Sequence, residues 1–408
     1  MINLKYVIMI GDGMSDYPLP ELDNHTPLEV AKKPNMDMLA KKGRSGLTTN
    51  APDHLPIGSD VANMSIFGYN PDEYYTGRGP LEAASQGIET VDGDVVFRCN
   101  LITEENGEIV DFTSGHITTE EATELMDALN KYFKDKYPDF KGFWHHGISY
   151  RHLFVYHDPD TSKLEIPAPH DIVDEKFDKY LDWDTSYGKA IKDIMFESKK
   201  VLENHPVNQK RISEGKKPAN MIWLWGQGTK PDMPAFKDVY GIDAAVITGV
   251  DLLKGLAIFS KLNKIDVPGA TGYFDTDYEA KAEYASKALE DNDLVIIHVE
   301  APDEAGHAAE IDEKIKAIER IDKIILTKIL DEIPKYGDYK IVVLPDHPTP
   351  VPIKTHTRDL VPITVYSSKD EDKADDVESY SEANNAKGSL GTDNVGCDLI
   401  KNLLDDIW

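Results

Sequence analysis

Tyr6-Val7-Ile8-Met9-Ile10-Gly11-Asp12-Gly13 places five apolar residues in a row and ends them on a glycine and an acid. A short, continuous apolar run of this kind is the pattern of a strand buried on both faces, as in a parallel sheet covered by helices. Leu294–Val299 and Lys340–Leu344 read the same way. Helical spacing lies between these runs. Pro34–Lys42 starts with a proline suited to the first turn of a helix and stops at Gly43. Tyr278–Leu289 is rich in alanine, and Glu310–Ile333 repeats isoleucine at Ile311, Ile315, Ile318, Ile321, Ile325 and Ile329. Strands alternating with helices predict an α/β fold, with a mostly parallel sheet sandwiched by helices.

The middle of the chain has a different texture. Residues 100–269 are rich in aromatics, proline and charge, and strands such as His152–Tyr156 look isolated. This stretch is expected to be a smaller α/β domain inserted into the first. The catalytic domain would then comprise 1–99 and 270–408, with the three buried strands in one sheet. Ser368–Lys387 is polar and acidic and is expected to be a solvated loop.

The 408 residues carry 44 Lys and Arg against 73 Asp and Glu, a net charge of −29. Apolar content of 40% is enough for a packed core and excludes a wholly disordered chain. So acidic a surface repels nucleic acid and anionic membrane, so neither is an expected partner. The two cysteines, Cys99 and Cys397, form no C-x-x-C pair and support neither a disulfide framework nor a cysteine zinc site. The apolar run at the N-terminus is too short for a signal peptide, and no stretch approaches the roughly 18 apolar residues of a membrane span. A cytoplasmic location is the expectation.

The residues with chemical potential lie just past the end of each buried strand. Tyr6–Ile10 leads to Asp12, Leu294–Val299 leads to Asp303 and His307, and Lys340–Leu344 leads to Asp346 and His347, with His356 a short loop later. Ligands of open α/β sheets bind beyond the carboxyl ends of the strands. Three Asp and three His delivered to one edge form a mixed oxygen and nitrogen set suited to Mn²⁺, Zn²⁺ or similar ions. Six ligands are too many for one catalytic ion with open positions, so two ions are the natural count. Upstream, Leu55-Pro56-Ile57-Gly58-Ser59-Asp60 turns into a helix at or just after Ser59. Ser59 reads either as a helix N-cap or as a nucleophile at a helix N-terminus, where backbone N–H groups favour phosphate. Without a G-x-S-x-G elbow, metal coordination is the remaining way to activate it. Gly11-Asp12-Gly13, Gly77-Arg78-Gly79 and Gly226-Gln227-Gly228 each lack the third glycine of a dinucleotide fingerprint, and no phosphate-loop motif occurs, so no nucleotide is expected.

At these residues the sequence resembles the alkaline phosphatase superfamily and, within it, the archaeal-type 2,3-bisphosphoglycerate-independent phosphoglycerate mutases. The similarity runs through Ile10–Gly13, Gly58–Asp60, Phe67–Pro71, Gly77–Pro80, Asp111–Ile117, Ser149–His152, Pro169–Ile172, Trp225–Gly228, Val246–Gly255, Ala270–Tyr273, Pro302–His307 and Pro345–His347. The resemblance implies a glycolytic isomerase that interconverts 3-phosphoglycerate and 2-phosphoglycerate through a phosphoserine on Ser59. It implies two divalent cations (Mn, Zn or Mg), one held by Asp303, His307 and His356, the other by Asp12, Ser59, Asp346 and His347. It further implies an insert that closes over a small phosphorylated acid, with His116, Arg151, His170, Asp171 and Lys254 as substrate contacts. Two departures from related sequences, Val61-Ala62-Asn63 after the serine and Thr229 after Gly228, keep two alternatives open. These are a phosphotransferase acting on homoserine and a metal-dependent phosphohydrolase.

Overall fold

The computed structural model describes residues 4–370 and 373–408. Its strands are, in chain order, β1 (Lys5–Gly11), β2 (Arg44–Thr49), β3 (Asp94–Glu105), β4 (Glu108–Asp111), β5 (Gly142–Ile148), β6 (Arg151–His157), β7 (Met221–Thr229), β8 (Ala244–Ile247), β9 (Asn263–Ile265), β10 (Leu294–Val299), β11 (Tyr339–Leu344), β12 (Val361–Ser367) and β13 (Gly391–Val395). They form two sheets in two compact units, one running up to Tyr75 and resuming at Asp232, the other Thr76–Pro231.

The first unit holds an eight-stranded sheet in the order β13-β2-β12-β11-β1-β10-β8-β9. β1 is central and pairs in parallel with β10 on one side and β11 on the other. Every residue of β1 and β10 is buried. That explains why their sequences are continuous apolar runs rather than alternating ones. β12 runs antiparallel to both β11 and β2, so the sheet is mixed at that edge. Helices Pro34–Lys42, Tyr278–Asp291 and Ile311–Arg320 press Met36, Leu39, Ala282, Ala285, Leu289 and Ile318 into this core.

The isoleucine ladder is helical as expected, but with a defect. A π turn at Ile321–Leu326 separates Ile311–Arg320 from Thr327–Glu332. Ile318, Ile321, Ile325 and Ile329 still all face the core. The turn points Asp322 at the start of helix Pro34–Lys42, where its carboxylate accepts the backbone N–H of Met36 at 2.7 Å and of Asn35 at 3.2 Å. Lys33, the residue before that helix, offers no side-chain cap of its own. Asp322 therefore supplies the cap from another element.

The second unit is a five-stranded antiparallel sheet in which β3 pairs with β4, β6 and β7, and β6 with β5. Helices Thr119–Lys136 and Ser186–Leu202 pack on it around Phe97, Trp144, Phe154 and Trp223. The segment His152–Tyr156 is thus not isolated. It forms a hairpin with β5 just before it and pairs on its other side with β3, which lies too far back in the chain for that pairing to show in a sequence window. The expected insert of 100–269 also moves. Helix Arg78–Ser85 packs on β3 and β7, which draws the start back to Thr76. β8 pairs with β10 and β9 with β8, which returns the chain from Asp232 onward to the first sheet.

Ser368–Lys387 is not simply a solvated loop. Glu371 and Asp372 lie outside the described residues, but Tyr380, Ser381 and Asn385 are buried. Tyr380 donates to the Pro362 carbonyl at 2.9 Å and Asn385 to the Ile363 carbonyl at 2.9 Å, which ties the segment to β12. Among the described residues no helix is long and apolar enough to cross a membrane. Replacing the capping carboxylate, Asp322→Ala, is expected to lower stability by about 1–2 kcal/mol. Equilibrium urea unfolding would measure it, and an unchanged midpoint would contradict the capping role.

Candidate active site

Parallel pairing places the carboxyl ends of β10, β1 and β11 side by side. Asp12 follows β1 directly. After β10 the chain turns into helix Ala301–Ala308, with Pro302 in its first turn, so Asp303 and His307 stand one turn apart on one face. After β11 come Asp346 and His347, and the following loop brings back His356. Asp12, Asp303, Asp346 and His347 are all buried. His307 is more open, with 35% of its side chain exposed.

The six side chains converge. His307 Nε2 lies 3.2 Å and His356 Nε2 3.4 Å from the two oxygens of Asp303, and the two ring nitrogens are 3.0 Å apart. His347 Nε2 lies 3.5 Å from Asp12 and 3.4 Å from Asp346. Three groups of potential ligands result among the described residues: Asp303 with His347 and His356, Asp12 with Asp346 and His298, and Glu300 with Asp303 and Glu304. Close approach of the backbone makes this possible. Gly13 has φ +62°, and a Cβ there would fall 2.7 Å from the Asp303 Cα.

Ser59 is the first residue of helix Ser59–Ile66, and Gly58, not Ser59, is the capping position. Its hydroxyl lies 3.3 Å from His347 Nε2. Asn63, four residues on and so on the same helical face, donates to Asp346 Oδ2 at 2.8 Å and to the Ser59 carbonyl at 2.8 Å.

The electrostatics are those of crowded, buried carboxylates. Burial, then the charges of Asp346 and Glu300, push the Asp12 carboxyl well above its usual range. Burial opposes ionisation of Asp303 too, but bonds to His307 and His356 hold its carboxyl well below that range. Burial likewise opposes the charged form of His307, yet Asp303 and the Lys354 carbonyl push it up to about 9. Asp12 Oδ1 is buried and, among the described residues, has no hydrogen-bond donor. An orphaned carboxyl oxygen, imidazoles aimed at shared carboxylates and a mixed oxygen and nitrogen donor set all fit divalent cations.

Several supporting residues were not singled out from the sequence. Thr349 donates to Asp303 Oδ1 and lies 3.3 Å from His347 Nδ1. Asn50 donates to the Asp346 carbonyl at 2.7 Å. His298, within β10 and fully buried, lies 2.9 Å from Asp12 Oδ2, and burial pulls its pKa down to about 3. A histidine inside an otherwise apolar strand was the available signal for it. Thr349 and Asn50 carry none, because their roles depend on loop geometry.

The expected substrate contacts divide between the units. In the second unit His116 meets the Tyr150 ring at 6.5 Å and the Arg151 guanidinium lies 5.4 Å from that ring. Phe112 links Tyr150, at 6.1 Å, to His170, at 5.8 Å. Asp171 Oδ1 lies 3.7 Å from His170 Nε2. His116, Arg151, His170 and Asp171 thus form one aromatic-linked group. Lys254 belongs to the first unit, in helix Asp251–Phe259, and pairs with Asp251 at 3.2 Å.

An α/β sheet with paired Asp and His clusters at its strand ends defines a class of candidate two-cation enzymes. The sequence profile of the 2,3-bisphosphoglycerate-independent phosphoglycerate mutases matches residues 40–208. That of the type I phosphodiesterase / nucleotide pyrophosphatase family matches residues 166–371. The chain is 52% identical to 2,3-bisphosphoglycerate-independent phosphoglycerate mutase 2 of Methanothermobacter thermautotrophicus, over 96% of this chain and 95% of that one. It is 50% identical to the 2,3-bisphosphoglycerate-independent phosphoglycerate mutase of Methanosarcina mazei, over 95% and 96%. Among solved structures, a Pyrococcus horikoshii protein superposes with a TM-score of 0.82 at 30% identity, covering 99% of this chain and 97% of that one. The cofactor-independent phosphoglycerate mutase of Thermoplasma acidophilum superposes with a TM-score of 0.65 at 27% identity, covering 99% and 100%. The chain belongs to the 2,3-bisphosphoglycerate-independent phosphoglycerate mutase family and is an enzyme of that class.

Because His307 binds its proton up to about pH 9 in the metal-free chain, a cation must displace that proton to be ligated there. Apparent affinity for Mn²⁺ is expected to rise with pH from 7 to 9, by up to about tenfold per unit, with proton release on binding. Calorimetric titration in buffers of different ionisation enthalpy measures both. A flat affinity across that range would refute the linkage.

Proposed function

We propose that this chain interconverts 3-phosphoglycerate and 2-phosphoglycerate without 2,3-bisphosphoglycerate, passing the phosphoryl group through Ser59. The observation that carries this reading is the position of Ser59: first in its helix, with its hydroxyl 3.3 Å from His347 inside the Asp and His cluster. Asp303, His307 and His356 would hold one divalent cation, and Asp12, Ser59, Asp346 and His347 the other, with Mn, Zn and Mg all compatible with the donors. Such cations, when bound, make a weakly acidic hydroxyl ionisable near neutral pH and stabilise charge on a leaving oxygen.

Ser59 Oγ attacks phosphorus in line with the departing C3 oxygen. The Oγ–P bond forms, the C3 O–P bond breaks, and the proton lost by Ser59 ends on the released glycerate hydroxyl. The first-turn N–H groups of helix Ser59–Ile66 favour the phosphoryl oxygens. Asn63 holds Asp346 and the Ser59 carbonyl together, which keeps nucleophile and ligand in register. In the second half-reaction the C2 hydroxyl takes phosphorus from Ser59, and Oγ recovers a proton. His116, Arg151 and His170 carry hydrogen-bonding and cationic groups suited to the acid's carboxylate. Keeping water from the phosphoserine distinguishes a mutase from a phosphatase on the same core.

Substituting Ser59→Ala should lower mutase turnover by about 10⁴-fold or more and abolish transfer of label from phosphoglycerate to protein. Phosphorus NMR with 3-phosphoglycerate, and separately with homoserine plus ATP, reads both activities. Retained turnover in the alanine variant, or phosphorylation of homoserine alone, would overturn the assignment. Chelation is expected to abolish turnover, and re-addition of Mn²⁺ to restore it; full activity in metal-free protein would contradict the cation sites.

A further inference from the structure

His298 occupies a position that the assigned ligand set does not explain. It lies within β10, beside β1 and opposite Ile10, with its side chain fully buried. Its Nε2 is 2.9 Å from Asp12 Oδ2 and 3.7 Å from Glu300 Oε2. Its Nδ1 is 3.3 Å from Thr248 Oγ1. The buried Lys281 ammonium donates to the His298 carbonyl at 2.9 Å and holds the end of the strand.

These contacts favour one placement of the ring hydrogen. Asp12 Oδ2, as a carboxylate oxygen, only accepts, which places the ring hydrogen on Nε2; Thr248 Oγ1 accepts the Val250 N–H at 3.0 Å and has its own proton to give to His298 Nδ1. Nδ1 then accepts, so the neutral ring carries its hydrogen on Nε2 and donates it to Asp12 Oδ2. A nitrogen bearing hydrogen has no lone pair for a cation. The effect falls on Asp12 instead: Oδ2 is occupied and Oδ1 is the buried oxygen left without a donor.

We propose that His298 is a positioning residue for Asp12, holding one carboxylate oxygen so that the other faces the cation, with Thr248 selecting its tautomer. The inference rests on the reading of Asp12 as a cation ligand. Partners of this kind that orient metal ligands typically contribute a factor of about 10–100 in metal affinity.

The test is Mn²⁺ binding by calorimetric titration, not turnover. Wild-type protein should bind two ions. His298→Leu, which removes the donor, should still bind two, with the weaker constant about 10–100-fold weaker. His298→Gln, whose amide can donate from a similar position, should recover most of that loss, and Thr248→Val should weaken binding in the same direction by less. Pulsed EPR on protein labelled with ¹⁵N at the histidine rings should find the same number of coupled nitrogens in wild type and the glutamine variant. Unchanged affinity in the leucine variant overturns the inference alone, and so does loss of one nitrogen coupling in the glutamine variant, which would make His298 a ligand. Fewer than two ions in the wild type overturns the two-cation reading, and this inference with it. Should the leucine variant fail to fold, equal affinities in wild type and Thr248→Val would still overturn it.

Discussion

Three carboxylates, those of Asp12, Asp303 and Asp346, are buried at the ends of adjacent strands. Buried like charges repel strongly in a medium of low dielectric, and each pays a desolvation penalty. The surrounding structure answers them one by one. Asp346 receives the backbone N–H of Gly13 at 3.2 Å and of His347 at 2.9 Å, besides the Asn63 amide. Asp303 receives Thr349 and two imidazoles. Asp12 receives His298 on one oxygen and, among the described residues, no hydrogen-bond donor on the other. The charge that remains uncompensated is concentrated where a cation would relieve it.

The loop bearing His347, Thr349 and His356 needs its own anchor, because it follows β11 without regular structure. Lys314 supplies it. Its fully buried ammonium donates to the Thr349 carbonyl at 2.8 Å, the Ser15 carbonyl at 3.2 Å and Asp16 Oδ2 at 2.7 Å. Asp16 in turn accepts the Val351 N–H at 3.1 Å. A buried ion pair of this kind contributes little net stability, and its use here is geometric. It joins the loop after β1, the loop after β11 and helix Ile311–Arg320 at one point, so the ligands from separate strands keep a common reference.

The placement of Asp12, Asp303, His307, Asp346 and His347 at one sheet edge was legible because each lies a few residues past a buried strand, and strand ends in a parallel sheet share one edge; His356 joins them through a longer irregular loop. Ser59 was legible from a glycine turn leading into a helix. The boundaries of the second unit were not, because they depend on which strands pair. β3 belongs with β6 and β7, and β8 with β10, and no local pattern encodes a partner more than 40 residues away. Thr349, Asn50 and the Lys314 clamp were hidden for a related reason: each is an ordinary polar residue whose meaning arises from a neighbour distant in the chain.

Local sequence by itself determined the buried parallel strands, the helices between them and the acids and imidazoles just beyond their ends, since apolar periodicity and short connections act over a few residues. Tertiary structure alone decided the limits of the two units, the setting of His298 between Thr248 and Asp12, and the orphaned oxygen of Asp12. Those properties belong to pairs and triplets of groups, and only the folded chain brings such groups within hydrogen-bond reach.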